Sequence, residues 1–261
     1  MPSDTTAPLA NQVAIVTGGS AGIGLALGTA LAARGARVML VGRSPARLEA
    51  ALAHVRSQVL DAAVTGLALD VSRGDDMQRM AERTLKCHGR VDILVACAGV
   101  LRPSSGRIGM VRDTPVADWD ELLAINLKGV FLSNRAVLPA MFSQRRGQIV
   151  NVASTSALRG HAFDAAYCAS KFAVMGLTEA LADEARPHGV RVQAVLPGAT
   201  ESAIWAQNGP IPRPQQILPV ERLVRSMLFM LELPADALVP RLTVQPQPDA
   251  AAWQRAVVTT C

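Results

Sequence analysis

Aromatic side chains are scarce in this chain of 261 residues. They make up 3% of it, and Tyr167 is the only tyrosine. Half of the residues are nevertheless hydrophobic, so Ala, Val and Leu have to build the core. Small aliphatic side chains favour close packing of helices on a sheet. Because there is one phenol, a phenolate titration of this protein reports on a single residue.

The chain also lacks long hydrophobic runs and paired cysteines. No apolar run approaches the roughly 20 residues that a membrane-spanning helix needs. The first ten residues, MPSDTTAPLA, lack the basic start and apolar stretch of a signal peptide. None of the four cysteines has CxxC or metal-ligand spacing: Cys87, Cys97, Cys168 and Cys261. We therefore expect a soluble, cytoplasmic protein with reduced thiols, no membrane partner and no metal.

Concentrated charge is absent as well. The chain has 26 Lys and Arg against 21 Asp and Glu, a net charge of +5 and a pI near 9.5. The basic residues are scattered, with no run of five or six, which argues against a nucleic-acid partner. The surplus is compatible with a phosphorylated cofactor, and otherwise it indicates an ordinary solvated surface of mixed charge.

Short β-branched segments alternate with longer segments rich in Ala and Leu. The predicted strands are residues 12–17, 37–41, 64–69, 92–96, 148–153 and 191–196. The predicted helices are residues 22–34, 45–59, 75–88, 118–142 and 165–186. This alternation predicts a doubly wound parallel sheet of the Rossmann type, covered by helices on both faces. No linker or repeat divides the chain, so we predict one domain, residues 1–261, with a core from about 10 to 246.

A glycine-rich turn, residues 17–24 (TGGSAGIG), joins the first strand to the first helix. Gly18, Gly22 and Gly24 let the backbone approach a pyrophosphate, and the helix N-terminus offers free N–H groups and a positive dipole end. Ser20 takes the place of the second glycine of a GxGxxG fingerprint. The alternative is a plain tight turn.

The residues that end the next three strands are suited to the rest of a dinucleotide. Arg43 follows the second strand, where an NAD-binding site would carry a carboxylate, and it is suited to a 2′-phosphate. It could equally be an ordinary surface arginine. Asp70 ends the third strand, where it could accept from an adenine amine. The small residues Cys97, Ala98 and Gly99 end the fourth and leave room for a cofactor.

Tyr167 and Lys171 lie four residues apart on a predicted helix, so they share one face about one turn apart. A nearby cation favours the phenolate, and we expect it to lower the tyrosine pKa from about 10 toward neutrality. Taken alone, the pair could also be a half-buried ring beside a solvated lysine.

Over residues 10–200 the sequence resembles the short-chain dehydrogenase/reductase family. The matching motifs are TGxxxGxG at residues 17–24, YxxxK at Tyr167 and Lys171, and a Pro-Gly turn at Pro197 and Gly198. The family's catalytic serine matches Ser154 better than Ser156 or Ser170, and its helix asparagine matches Asn126. Two departures stand out: Cys97 replaces an asparagine that ties neighbouring strands together, and the C-terminal part lacks the family's glycine-rich ending.

The resemblance implies an oxidoreductase that interconverts a carbonyl and a secondary alcohol with NADP(H), or less favourably NAD(H). Tyr167 would act as general acid, Lys171 would lower its pKa, Ser154 would bind the carbonyl oxygen, and Asn126 would hold a water that links Lys171 to solvent. The expected cofactor-binding residues are Gly18, Ser20, Gly22, Ile23, Gly24, Arg43, Asp70, Val71, Cys97, Ala98, Gly99, Tyr167, Lys171, Pro197, Gly198 and Thr200.

Family members commonly pair their long helices, so we also expect a homodimer or homotetramer. The scarcity of aromatic residues favours an aliphatic or modest-sized carbonyl as substrate, and a 3-oxoacyl thioester, a keto-steroid-like alcohol and a sugar are all left open. Residues 199–218 are irregular and Pro-rich, with a lid expected at 208–219 and His161 at the substrate mouth. The alternative function is a catalytically silent dinucleotide sensor or interaction protein of the same fold.

Overall fold

The computed structural model describes residues 9–209 and 211–247. The predicted single domain, 1–261, therefore extends at both ends beyond the described residues. The strands are β1 Val13–Thr17, β2 Arg37–Gly42, β3 Val64–Ala68, β4 Ile93–Ala96, β5 Gly147–Val152, β6 Val190–Pro197 and β7 Arg241–Val244. The helices are α1 Gly22–Ala33, α2 Pro45–Gln58, α3 Gly74–His88, α4 Val116–Leu123, α5 Gly129–Gln144, α6 Ala165–Ala185 and α7 Val220–Glu232.

These strands form one parallel sheet in the order β3-β2-β1-β4-β5-β6-β7. β1 pairs with β2 on one side and with β4 on the other, so the strand order reverses between β1 and β4. In open α/β sheets, ligands bind at the carboxyl ends of the strands where the order reverses. The predicted doubly wound Rossmann-like fold is confirmed, and it brings the turn after β1 beside the turn after β4.

The central strands β1 and β4 are hydrophobic on both faces because helices cover both. Along β1, Ala14 and Val16 point into a cluster that includes side chains of α1, α2 and α7. Ile15, between them, points to the opposite face and packs among side chains of α3, α5 and α6. Successive side chains of a strand alternate between faces, so a fully buried strand reads as an unbroken apolar run.

The structure differs from the predicted elements in three places. A π-helical turn, Ala124–Lys128, separates α4 from α5, where the pattern predicted one continuous helix. The chain also forms α7 and β7 after the last predicted strand, and β7 adds to the sheet beside β6. β7 is four residues long and half exposed, so its hydrophobic pattern is weak.

None of the helices in the described part of the chain combines the length and the apolar character that crossing a bilayer requires.

Candidate active site

The glycine-rich turn after β1 has no room for side chains where the backbone runs beside β4. Gly18 has a φ of +68°, and a Cβ placed on it would lie 2.8 Å from the Cα of Ala98. A Cβ on Gly24 would overlap the carbonyl oxygen of Gly18. Ala21, the N-cap of α1, makes no side-chain capping hydrogen bond, so the first N–H groups of α1 are open to an anion. This is the cradle that a pyrophosphate needs, and Gly22, Ile23 and Gly24 form its helical side.

Ser20 and Arg43 both lie near Gly42, the last residue of β2: Ser20 through a side-chain contact and Arg43 as the next residue in the chain. The Ser20 hydroxyl is packed so closely over Gly42 that a Cβ there would lie 2.9 Å from its Oγ. Arg43 is exposed and follows Gly42 directly. A hydroxyl and a guanidinium at this strand end are donors to a phosphate, and neither would repel one.

Asp70 and Val71, after β3, have structural contacts in addition to their expected place beside the cofactor. One carboxylate oxygen of Asp70 accepts from the backbone N–H of Ser72 at 2.9 Å and from its hydroxyl at 2.8 Å. The side chain of Val71 is buried in the core and packs against Gly129, where a Cβ would meet its Cγ2 at 2.8 Å. Gly129 therefore lets α5 approach this loop closely.

The strand tie that the family's asparagine would provide at position 97 is made by Thr17 instead. The buried hydroxyl of Thr17 accepts from the backbone N–H groups of Cys97 and Ala98, at 3.2 and 3.3 Å. β1 and β4 are thus held together beyond their last paired residues, although Cys97 has replaced the asparagine. Burial raises the pKa of the Cys97 thiol to about 11, against the opposing influence of Lys171.

Tyr167 and Lys171 are buried side by side on α6, with 9% and 5% of their surfaces exposed. The Nζ of Lys171 lies 5.7 Å from the centroid of the Tyr167 ring. It also donates to the carbonyl oxygen of Val152, at the end of β5, at 3.0 Å. The helical spacing of the pair and its contact with the sheet place both groups at the carboxyl edge of the strands.

Burial moves the pKa of Tyr167 in the direction opposite to the one expected from the sequence. It raises the pKa to about 12, although a hydrogen bond from Ser154 and the charge of Arg102 both lower it. Asp164 and Cys168 add to the rise. Burial also lowers the pKa of Lys171 to about 8. The expected fall of the tyrosine pKa is therefore wrong for the chain without a ligand, because desolvation of the phenolate outweighs the Ser154 hydrogen bond and the attraction of Arg102.

Ser154 follows β5 and lies against the Tyr167 phenol. Its Oγ accepts from the backbone N–H of Ser156 at 3.1 Å, which orients the hydroxyl at the start of a short 3-10 turn, Thr155–Ala157. The same hydroxyl hydrogen-bonds the Tyr167 side chain. Ser154, Tyr167 and Lys171 all line one cavity of about 1230 Å³, including its open mouth.

Asn126 lies in the π-helical turn and is completely buried. Its Oδ1 accepts from the N–H of Val100, and its Nδ2 donates to the carbonyl of Val100, both at 2.8 Å. Nδ2 also lies 3.3 Å from the Ser170 hydroxyl. The side-chain amide is thus committed to the loop after β4 and to α6, so the water-holding role implied by the resemblance would have to use another part of this residue.

The comparisons with known proteins agree with this geometry. The family model described as short chain dehydrogenase matches residues 12–210, which is most of the chain. The chain belongs to the short-chain dehydrogenase family. An uncharacterised oxidoreductase of Staphylococcus aureus strain MRSA252 is 30% identical over 238 residues, covering 91% of this chain and 98% of the relative.

Two solved structures of similar proteins match nearly the whole chain. Levodione reductase is 28% identical, with a TM-score of 0.83, and the match covers 90% of this chain and 96% of that protein. A metagenomic short-chain oxidoreductase in complex with NADP is 32% identical, with a TM-score of 0.79, and the match covers 92% and 100%. This short-chain dehydrogenase is therefore an oxidoreductase by family.

The site of this short-chain dehydrogenase brings many of the predicted residues to one cavity. Of the predicted set, the cavity is lined by Ile23, Cys97, Gly99, Ser154, Tyr167, Lys171, Pro197, Gly198 and Thr200. Three further residues of the set do not line the cavity but support its wall. Gly18 packs against Ala98, and Asn126 is hydrogen-bonded to Val100. His161 also lines the cavity, and its place at the substrate mouth stays a prediction.

The lid segment, which runs from Thr200 to Leu218 and is named for the lid predicted within it, lines the cavity on both sides of residue 208. It contains a 3-10 turn, Ala203–Gln207, and its two ends are joined where Thr200 pairs with Leu218. The Gln207 side-chain oxygen accepts from the N–H groups of Leu101 and Arg102, at 2.9 and 3.2 Å. Sequence reasoning missed Trp205, which also lines the cavity, because no motif marks it, whereas Asn208 lies in the predicted lid.

An ion pair between Arg102 and Asp164 was also missed. Asp164 is the N-cap residue of α6, and the buried Arg102 lies in the connection between β4 and α4. The pair joins the loop after β4 to the start of the helix that carries Tyr167. The only signal in the sequence is the position of Asp164, three residues before the tyrosine.

Proposed function

We propose that this short-chain dehydrogenase is an NADP(H)-dependent oxidoreductase that interconverts a carbonyl and a secondary alcohol. The observation that carries the proposal is the convergence of Ser154, Tyr167 and Lys171 on one cavity beside the glycine-rich turn. A phenol, a hydroxyl and an ammonium at one place can protonate and stabilise a carbonyl oxygen that is gaining negative charge.

NADP(H) fits the residues present. The turn after β1 leaves room only for backbone at Gly18, and the uncapped start of α1 is suited to a pyrophosphate. The preference for NADP(H) over NAD(H) rests on Arg43 and Ser20 at the end of β2. The structure of the metagenomic relative contains NADP, which supports the same choice. When bound, the cofactor would supply the hydride.

Each catalytic side chain has a task in the reducing direction. Tyr167, protonated because its pKa is high, gives its proton to the carbonyl oxygen. Ser154 donates a hydrogen bond to the same oxygen and stabilises its developing charge. Lys171 favours the phenolate that remains, since a cation stabilises a nearby anion. Asn126 fixes the loop after β4, which forms one wall of the cavity.

Consumption of NADPH in the presence of a panel of ketones tests the proposal. Wild-type protein is expected to oxidise NADPH only when a ketone is present. Tyr167→Phe should abolish turnover and keep NADPH binding, measured by quenching of protein fluorescence. A silent dinucleotide-binding protein would bind NADPH without consuming it with any carbonyl, so the same assay separates the two functions.

We further propose that the protein works as a homodimer or homotetramer on a small-molecule substrate, with no nucleic-acid partner. Phe131 on α5 and Phe172 on α6 leave 42% and 46% of their surfaces exposed, which supports an interface along these helices. The cytoplasmic location stays a prediction.

A further inference from the structure

Arg102 has a buried guanidinium that the described residues satisfy only in part. No more than 6% of the residue is exposed. Its Nη1 donates to Asp164 and lies 3.5 Å from the carbonyl oxygen of Leu101. Its Nε and Nη2 have no hydrogen-bond partner among the described residues. Burying charged donors without acceptors destabilises the protein, so a ligand that offers an acceptor to Nε and Nη2 would relieve that cost.

The side chain of Arg102 lines a second cavity, which adjoins the catalytic one. This second cavity has a volume of about 460 Å³, including its open mouth. Leu101, Asp164 and Tyr167 line both cavities. Asp164, the partner of Arg102, is the N-cap of the helix that carries Tyr167, and the charge of Arg102 acts on the Tyr167 phenol. A substrate whose carbonyl meets Tyr167 can therefore extend toward Arg102.

The charges around the second cavity favour an uncharged ligand group. The charged side chains that line it are Arg102, Arg107, Asp113, Asp118 and Asp164. Asp164 already pairs with Arg102, Asp113 pairs with Arg112 outside the cavity, and Asp118 accepts from Ser105.

A substrate carboxylate would place a second negative charge on Arg102, close to the aspartates, and would lose its hydration. A carbonyl or hydroxyl oxygen accepts hydrogen bonds without that charge.

We propose that Arg102 hydrogen-bonds a second, uncharged oxygen of the substrate. The enzyme would then prefer small dicarbonyl or hydroxycarbonyl compounds over simple ketones and over oxo acids. The inference rests on the proposed carbonyl reduction. Nε and Nη2 are closed to solvent in the described structure, so the proposed contact requires a rotation about the side-chain torsions of Arg102 when substrate binds.

Three matched substrates isolate the second oxygen. Cyclohexane-1,4-dione and cyclohexanone share the ring and the reacting carbonyl, and 4-oxocyclohexane-1-carboxylate carries an anion at the far position. With NADPH, the wild-type kcat/KM is expected to be at least about tenfold higher for the dione than for cyclohexanone, after allowing for its two equivalent carbonyls. It should also exceed the value for the acid. An absence of preference for the dione, or a preference for the acid, overturns the inference.

The matched variants are Arg102→Met and Arg107→Met, which remove guanidinium groups from the same cavity. In Arg102→Met, the ratio of kcat/KM for the dione to kcat/KM for cyclohexanone should fall to the value expected from the two equivalent carbonyls of the dione alone. In Arg107→Met, this ratio should stay at the wild-type value. If Arg102→Met does not fold, judged by circular dichroism, the wild-type ratios decide. If the enzyme reduces both ketones without preference, the role of Arg102 is overturned but the proposed function stands. If no carbonyl leads to NADPH oxidation, the proposed function and the inference are both overturned.

Discussion

Lys171 shows how strongly burial acts on single residues of the site. The pKa of its ammonium falls from 10.5 to about 8 because burial removes water from the charged form. Below about pH 8 the folded protein therefore carries a buried charge. Above that pH the folded chain releases this proton, while the unfolded chain keeps it up to about pH 10.5. A group whose pKa is depressed on folding adds stability as the pH rises between these two values.

Lys171→Met tests this sign. The free energy of unfolding of the wild type, minus that of the variant, is expected to rise between about pH 8 and pH 10.5. Tyr167, whose raised pKa of about 12 lowers stability above pH 10, is present in both proteins, so its effect largely cancels. Denaturant unfolding at a series of pH values measures the difference. Lys86→Met, on the exposed face of α3, controls for the loss of a lysine, and a difference that falls with pH would contradict the burial argument.

Arg43 is expected to decide the choice of cofactor. Its guanidinium is exposed at the end of β2, so its interaction with a 2′-phosphate is partly screened by water. Arg43→Ala should raise the KM for NADPH about fivefold to tenfold and leave the KM for NADH nearly unchanged. Steady-state kinetics with both cofactors measure this, and Arg47→Ala on α2 is the matched control. A wild type that prefers NADH, or unchanged NADPH kinetics in the variant, would remove the NADP(H) assignment.

At the scale of elements, Gln207 joins the lid to the loop after β4. Its side-chain oxygen accepts from two backbone N–H groups, of Leu101 and Arg102. Gln207→Ala removes both hydrogen bonds, worth about 1 kcal/mol each. We expect the amides of Leu101 and Arg102 to exchange hydrogen about tenfold faster and the KM for the ketone to rise, with the KM for NADPH less affected.

Gln207→Glu is the matched control, since a carboxylate accepts the same two hydrogen bonds. It should keep the slow exchange of both amides. If Gln207→Ala exchanges as slowly as the wild type, the lid is held by its other contacts and the side chain of Gln207 does not fasten it.

The turn between α6 and β6 depends on a glycine. Gly189 has a φ of +71°, and a Cβ on it would overlap the carbonyl oxygen of Arg145. Gly89, after α3, has a nearly identical φ of +73°, but a Cβ there would meet no atom within 4 Å. Gly89→Ala is therefore expected to cost about 1 kcal/mol of stability through its backbone alone, and Gly189→Ala about 2–4 kcal/mol through backbone and overlap together. Equal losses on thermal and denaturant unfolding would show that the Arg145 loop yields without cost.

At the scale of the whole molecule, self-association is expected to involve α5 and α6. Phe172→Asp places a charge on the exposed face of α6 and should lower the mass measured by sedimentation at micromolar concentration. Leu60→Asp is the control, because Leu60 is 90% exposed and lies beyond α2. A wild type that sediments only as a monomer would contradict the prediction, and an unchanged mass in Phe172→Asp would move the interface elsewhere.

The hydrophobic pattern of the sequence determined most of the sheet. β1, β2, β4, β5 and β6 are short runs buried along most of their length on both faces, so each could be recognised from local composition. The turn at Gly18 and the pair Tyr167 and Lys171 could be predicted for the same reason, since strand–turn–helix order and helical spacing are local properties. β7 was not predicted, because it is short and half exposed. Its place beside β6 is set by strand pairing and not by its own residues.

Only the tertiary structure decided which groups meet in the cavity and how they are charged. Arg102 and Asp164 are 62 residues apart in the chain, and Gln207 lies 106 residues from Leu101. No local pattern links residues so distant, because their contact depends on how β4, α6 and the lid pack together. The pKa of Tyr167 was likewise beyond the sequence: its neighbour Lys171 was visible, but the depth of burial, which outweighs nearby charges, is a property of the folded chain.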